Sequence, residues 1–568
     1  MFKILTIFIY SLKLILRLPP TLRLLTILTL IGYSVYLNII LTKFIFKRYS
    51  LILKRRNVDN RSRLLQKLGI SEKFSREYLI IGFFHPYCNA GGGGERVLWT
   101  AVSFHQRTHP NSICAIYTGD LEVSKVAIIH KVKQRFGISL NPNSLLFLPL
   151  TTRSWVEASR WPRFTLLGQS LGSMVLGYEA LSRLIPDIYL DTMGYAFTFP
   201  VFRLLSNTPI GAYVHYPTIS NDMLQRVSRR DSAHNNSSII TNSQILSQVK
   251  LLYYLLFAEL YSLCLRQADY LMVNSTWTKN HIDRLLKPWL HRDEIDLEMD
   301  HQLESCPSPQ LTQLDGLRLR VPSAPSNLSS KHLATQSTRE SKHKKSSVVY
   351  PPCDVQSFLN FPLQPRSPII LSISQFRPEK DQETQIKAFA QFLSQIKPNY
   401  SAADKIKLIL AGSCRDQFDE DRVRGLQQLC KDLEIDDSVM FKVNVDWHEL
   451  RQLLKESLVG LSTMVDEHFG ISIVEFMASG LIPLVHKSGG PLLDIVVEHH
   501  EGITGFHAEG VKEYKDRLIE IFDRLGKDDE ILLIRQRARN LSERKFQVEN
   551  FEQGWLVGFE NLQKRIEK

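Results

Sequence analysis

The chain has 568 residues, too many for one hydrophobic core, and its 44% hydrophobic and 23% charged residues are ordinary for a globular protein. A net charge of +12 admits nucleic acid, an anionic membrane face or phosphate-bearing ligands. No basic-aromatic nucleic-acid module occurs, and much of the excess clusters beside the apolar N-terminus (Lys43, Lys47, Arg48, Lys54, Arg55, Arg56, Arg61, Arg63), so nucleic acid is set aside in favour of a membrane.

Met1 to Phe46 is strongly apolar. Leu24 to Phe46 is roughly twenty residues with one late lysine, about enough to span a bilayer. Ile4 to Leu16 is shorter, is split by Lys13, and reads as an interfacial helix or half of a hairpin. No small-residue cleavage site follows it, which argues against a cleaved signal peptide. The basic run places its own side in the cytoplasm. Residues 1–56 are therefore expected to form a membrane anchor with a basic flank, with the rest cytosolic; the rival reading is a buried helical hairpin. The seven cysteines are odd in number and form no CxxC pair, which reads as reduced thiols in a cytosol-facing protein.

Glu77 to Phe84 predicts a strand, His85 to Gly94 a loop ending in four glycines (Gly91, Gly92, Gly93, Gly94), and Glu95 to His105 a helix. Strand, glycine-rich loop and helix open a Rossmann-like unit, in which glycines let backbone amides approach phosphate. The bland alternative is a flexible surface loop, since neither a Walker loop nor a clean GxGxxG is present. Further strands are expected at 113–118, 145–150, 187–190, 210–215 and 270–274, with helices at 169–184 and 251–267. Such alternation argues for a parallel sheet covered on both faces. His215 closes the strand 210–215, and strand C-termini are where open α/β sheets bind ligands. The run Leu251 to Phe257 is apolar enough for either core or a membrane-facing patch. These elements give a first domain over residues 75–283.

From about 284 to 347 the composition turns to Ser, Gln, Pro and charge, as in a flexible insertion. Asp296, Glu298 and Asp300 there read as a solvated acidic face rather than a metal site. A second α/β domain is expected over 348–540, with strands at 369–373, 407–410, 439–441, 459–461 and 482–485. Its helices are expected at 381–396, 421–433 and 448–456. Arg377 and Lys380 follow its first strand and can point at a pyrophosphate. After the strand at 459–461 come Glu467 and Glu475, eight residues apart, with Phe469 and Gly470 between them. Gly470 lets the chain turn into a helix, whose unpaired N-terminal amides attract anions. Carboxylates on either side suit a ligand with phosphate in the middle and hydroxyls at its ends. The segment 541–568 predicts a helix, with Phe551, Trp555 and Phe559 on one face, that crosses back to the first domain.

The stretch from Glu467 to Glu475, with Gly480-Leu481-Ile482-Pro483 and Ser488-Gly489-Gly490-Pro491 behind it, resembles the signature of the retaining GT-B glycosyltransferases. The resemblance implies an α/β fold of two Rossmann-like domains facing across a cleft, here with an N-terminal membrane anchor. It implies that Glu475 holds the donor ribose, that Glu467 and the amides of Phe469 and Gly470 hold the donor sugar, and that His215 lies against that sugar. It also implies a basic pair on the leaving diphosphate. The family pattern has Gly-Arg-Leu with a lysine five residues after the arginine. Gln375 occupies that arginine position here, so Lys380 carries over directly and Arg377 stands two residues late. The segments His85 to Trp99, Asp191 to Tyr195, Val214 to Pro217, Tyr350 to Cys353 and Gln375 to Lys380 are similar to the mannosyltransferases that build dolichol-linked glycans. That resemblance implies GDP-mannose as donor, no metal or cofactor, and a dolichol-pyrophosphate oligosaccharide as acceptor of two α-1,2-mannoses. It further implies the cytosolic face of the endoplasmic reticulum membrane, and other mannosyltransferases of the pathway as partners. A different nucleotide sugar and lipid, or a tethered scaffold without catalysis, are the alternatives.

Overall fold

The computed structural model describes residues 19–74, 77–219, 223, 244–287, 345–396, 405–498, 502–525 and 529–567. Residues 288–344 of the expected insertion, with its three acids, lie outside the described residues, as does Ile4–Leu16.

Seven strands form the first sheet: β1 Leu79–Phe84, β2 Ser112–Thr118, β3 Leu145–Pro149, β4 Ile188–Asp191, β5 Ile210–Val214, β6 Tyr270–Val273 and β7 Ser347–Val348. Their order is β3-β2-β1-β4-β5-β6-β7, every pairing parallel. Six strands form the second: β8 Ser367–Ile373, β9 Lys407–Gly412, β10 Val439–Val443, β11 Ser457–Ser462, β12 Ile482–His486 and β13 Phe506–Ala508. Their order is β10-β9-β8-β11-β12-β13, again all parallel. Both sheets thus run 3-2-1-4-5-6, the doubly wound order, with β7 added at the edge of the first. The cause is visible in strands such as Leu79-Ile80-Ile81-Gly82-Phe83-Phe84, continuous apolar runs buried on both faces by crossover helices. Strand order reverses between β1 and β4, and between β8 and β11. The loops leaving those strands diverge there and open a crevice in each sheet.

The helix Val548–Ile566 packs on the first sheet after the chain has completed the second. Phe551, Trp555 and Phe559 are buried, the Trp555 indole donates to His105 Nε2 at 2.9 Å, and its ring stacks on Phe83. Two boundaries differ from the sequence reading. Ser347, expected to end the insertion, and Val348, expected to open the second domain, instead pair with Met272 and Val273 as an edge strand of the first sheet. The N-terminal helix does not stop at the basic flank near 56 but runs as one element, Pro20–Gln66. Its second half is held by the first domain. Leu53 and Leu65 are buried, Arg61 pairs with Asp187 at 2.9 Å, and Asn57 accepts from the Ile185 amide at 2.7 Å. Its first half contains an apolar window long enough to cross a membrane and wholly unburied. The run 251–257 lies on the helix Gln244–Leu265, where Tyr254 and Phe257 enter the core while Leu252 and Leu256 stay exposed.

Candidate active site

The loop after β1 is fixed by its own helix. Gly91 has φ +86°, open to glycine, and Gly92 caps the helix Gly93–Thr108. The Glu95 carboxylate accepts from the Gly92 amide at 2.7 Å and stands 3.7 Å from His85 Nε2. Burial alone would raise the Glu95 carboxyl, but its bonds to His85 and Gly92 hold it below the usual range. Thr192, just past β4, links both neighbouring histidines: its hydroxyl pairs with His85 Nδ1 at 2.8 Å, and its carbonyl accepts from His215 Nε2 at 3.1 Å. A carbonyl only accepts, so His215 carries its proton on Nε2 and presents the Nδ1 lone pair. Burial, with His85 nearby, pushes its pKa down to about 4, which keeps the ring neutral at pH 7.

The second domain meets this loop directly. A Cβ on Gly93 would come within 2.9 Å of Ile471 Cδ1, and one on Gly94 within 3.6 Å of His215 Nε2. Gly93 and Ile471 are the first residues of their helices, Gly93–Thr108 and Ile471–Ser479. Two helix N-termini therefore converge from opposite domains, and their free amides and positive ends face one space. Gly470 reaches this point at φ +108°, a value that strains any residue with a side chain. At the other end of Ile471–Ser479, Arg539 Nε donates to Ala478 O at 3.0 Å, Arg535 Nε to Gly480 O at 2.6 Å, and Arg366 to Ser479 O. Cations at the carboxyl end complement the helix dipole.

Beside the meeting point, Lys380 Nζ lies 2.6 Å from Glu467 Oε2 and 3.0 Å from Met464 Sδ. Lys380 sits in a short turn after β8 whose carbonyl accepts from Thr463 Oγ1 at 3.0 Å, which locks the β8 and β11 loops together. Glu475, one turn into its helix, is 9% exposed. Burial raises its carboxyl, opposed by Arg96 from the first domain's glycine helix. Phe469 turns its ring inward against Tyr350 and Phe546, so it presents backbone to the cleft. Arg377 goes another way: it pairs with Glu379 at 3.7 Å, and burial together with Arg415 lowers its pKa. The Lys380 amide donates to the Arg377 carbonyl at 3.1 Å, but no side-chain contact joins Arg377 to Lys380 or Glu467 among the described residues.

Sequence reasoning did not single out Arg96, Arg415, His85 or Thr192. Arg96 follows the glycines by two residues and Thr192 stands at a strand end, a signal that could have found them. His468 is flanked by first-domain rings, Tyr216 at 4.1 Å and Trp277 at 5.2 Å between centroids, a pairing between distant segments with no local signature.

Comparison with known proteins gives the class first. Residues 78–286 match the family "ALG11 mannosyltransferase N-terminus" and residues 358–543 match "Glycosyl transferases group 1". The fold is similar to sucrose-phosphate synthase from Thermosynechococcus elongatus (15% identity, 86% of this chain, 100% of that one, TM-score 0.53). It is also similar to the apo OtsA structure (12%, 84% and 98%, TM-score 0.53). The protein is a glycosyltransferase of the GT-B fold. The GDP-Man:Man(3)GlcNAc(2)-PP-Dol alpha-1,2-mannosyltransferase of Mus musculus is 41% identical over 499 residues, covering 87% of this chain and 89% of that protein. Those of Xenopus laevis (43%; 86% and 89% covered) and Dictyostelium discoideum (40%; 84% and 83%) are similar. The chain belongs to this alpha-1,2-mannosyltransferase family.

Proposed function

We propose that the protein transfers mannose from GDP-mannose, in α-1,2 linkage and with retained configuration, to Man3GlcNAc2 carried on dolichyl pyrophosphate. The observation that carries the chemistry is the meeting of Gly93 and Ile471 beside the Lys380–Glu467 pair. Two helix N-termini and an ammonium around one space suit a diphosphate, and acids at its margins suit hydroxyls.

Lys380 and the amides of the Gly91–Gly94 and Phe469–Gly470 loops stabilise the charge that gathers on GDP as the anomeric C–O bond breaks. Glu467 orients the mannose and holds Lys380 in place. Glu475 accepts from the ribose hydroxyls, and Arg96 opposes the effect of burial on that carboxyl. His215 accepts a mannose hydroxyl at Nδ1. Arg377, whose side chain pairs with Glu379, steers the anionic donor at longer range. The acceptor hydroxyl attacks on the face that the diphosphate leaves, and its proton passes to the departing phosphate oxygen.

The apolar first half of Pro20–Gln66 supports a membrane anchor ahead of about residue 47, with both domains on the cytosolic face of the endoplasmic reticulum. There the acceptor receives two mannoses in succession, alongside the pathway's other mannosyltransferases. Incubating the purified protein with labelled GDP-mannose and a lipid-linked trimannosyl acceptor, followed by linkage analysis, tests the reaction. Two added α-1,2-mannoses are expected; another linkage, or preference for a UDP-sugar, overturns it.

A further inference from the structure

The buried carboxylate of Asp494 has no part in the chemistry above, yet it ties three parts of the molecule. It is 1% exposed, within the π-helical turn Pro491–Ile495 of the second domain. Its Oδ2 accepts from the Thr276 amide at 2.8 Å, and its Oδ1 from Thr276 Oγ1 at 2.6 Å and the Tyr350 hydroxyl at 2.8 Å. Its backbone carbonyl accepts from Lys545 Nζ at 2.7 Å. Thr276 opens the first-domain helix Thr276–Leu286, so a second-domain carboxylate satisfies a free donor at that helix's positive end. Tyr350 and Lys545 stand on the two stretches where the chain passes between domains. The same turn reaches the loop that carries Glu467. The Gly490 amide donates to Glu467 O at 2.8 Å, and a Cβ on Gly490 would come within 2.6 Å of His468 O. The crossings touch that loop too: the Phe469 ring lies 5.8 Å from Tyr350 and 5.5 Å from Phe546.

We propose that Asp494 is a positioning residue that couples the relative orientation of the two domains to the placement of Glu467. The inference rests on the reading of Glu467 given above. A buried carboxylate with three donors does not let go of one of them cheaply. Rotation of the first domain therefore moves Thr276, and with it the turn 491–495, Gly490 and the Glu467 carbonyl. π-Turns often occur at functional sites, and this one supplies a link that moves as a unit.

The test uses the full chain in detergent, with Asp494→Ala, Thr276→Val and Tyr350→Phe. Mannose transfer is measured alongside amide hydrogen exchange at 276–280 and 466–470. In Asp494→Ala, exchange should quicken at least tenfold at both segments while the strands of both sheets keep their protection. There kcat should fall tenfold or more, with KM for GDP-mannose within threefold. Thr276→Val and Tyr350→Phe should lower kcat two- to fivefold. Unchanged exchange at 466–470 in Asp494→Ala overturns the coupling, and so does a uniform rise across the chain, which marks a merely structural role. If Glu467→Ala transfers mannose normally while Asp494→Ala still opens both segments, the role of Glu467 fails and the coupling between domains and loop stands.

Discussion

Lys380 and Glu467 are each other's nearest charged partner, 2.6 Å apart, although they come from loops after different strands of the second sheet. Each is mostly shielded from solvent, with side-chain exposures of 22% and 16%. Removing either therefore leaves the other without its partner as well as removing its own action. Lys380→Ala and Glu467→Ala should each lower kcat by about 10² to 10³-fold, the usual scale for an electrostatic group at a transition state. The double variant should fall little further, because the pair acts as a unit. Steady-state kinetics on the two singles and the double check this, and a loss that multiplies sends the two residues to independent roles.

Glu475 is proposed to act on the donor's ribose, away from the breaking bond, so its loss should appear in binding. Glu475→Gln should raise KM for GDP-mannose about tenfold, equivalent to about 1.4 kcal/mol, and change kcat less than threefold. Arg96→Ala should shift KM the same way, since Arg96 opposes the effect of burial on that carboxyl. A fall in kcat at unchanged KM would place Glu475 at the reacting carbon instead.

The sequence carried the parts of this site that are local. Strand ends, the glycine loop and the two acids are contiguous signals, because an apolar run, a turn and a helix start follow one another within about ten residues. Lys380 and His215 were legible for the same reason, each standing where a strand ends. What stayed hidden is pairing at a distance. Nothing near Val348 distinguishes a two-residue edge strand of the first sheet from the start of the second, since so short a strand has no period to read. β13, Phe506–Ala508, escaped for the same reason. The convergence of Gly93 on Ile471, and of Tyr216 and Trp277 on His468, is a property of how two domains meet, which no window of sequence contains.

Four histidines, His215, His281, His468 and His507, each have a pKa pushed down to about 4, chiefly by burial. In the unfolded chain each titrates near 6.5, so between pH 6.5 and 4 the unfolded state binds the proton first. Stability from these rings is complete above pH 6.5 and is lost as pH falls toward 4, each adding a slope of at most about 1.4 kcal/mol per pH unit. Melting temperature should therefore hold from pH 8 to 7 and drop steadily from 6.5 to 4.5. His507→Gln should make that drop shallower. A melting temperature that stays flat down to pH 5 contradicts the burial of these rings.

The N-terminal helix divides into two functions at about Lys47, and deletion should separate them. Residues up to Phe46 carry the exposed apolar window and add no buried side chain to the first domain among the described residues. Removing 1–46 should shift the melting temperature by no more than about 3 °C. Residues 47–66 carry Leu53 and Leu65, both buried, and the Arg61–Asp187 pair, whose arginine also donates to Tyr78 O at 2.6 Å. Each buried leucine contributes about 1.5–3 kcal/mol. Removing 1–66 should therefore lower the melting temperature by about 10 °C or more, or leave no folded first domain. Thermal melts of the two truncations, read beside the full chain in the same detergent, decide it. Equal stability of the two would mean that the second half of the helix is a tether rather than part of the first domain's core.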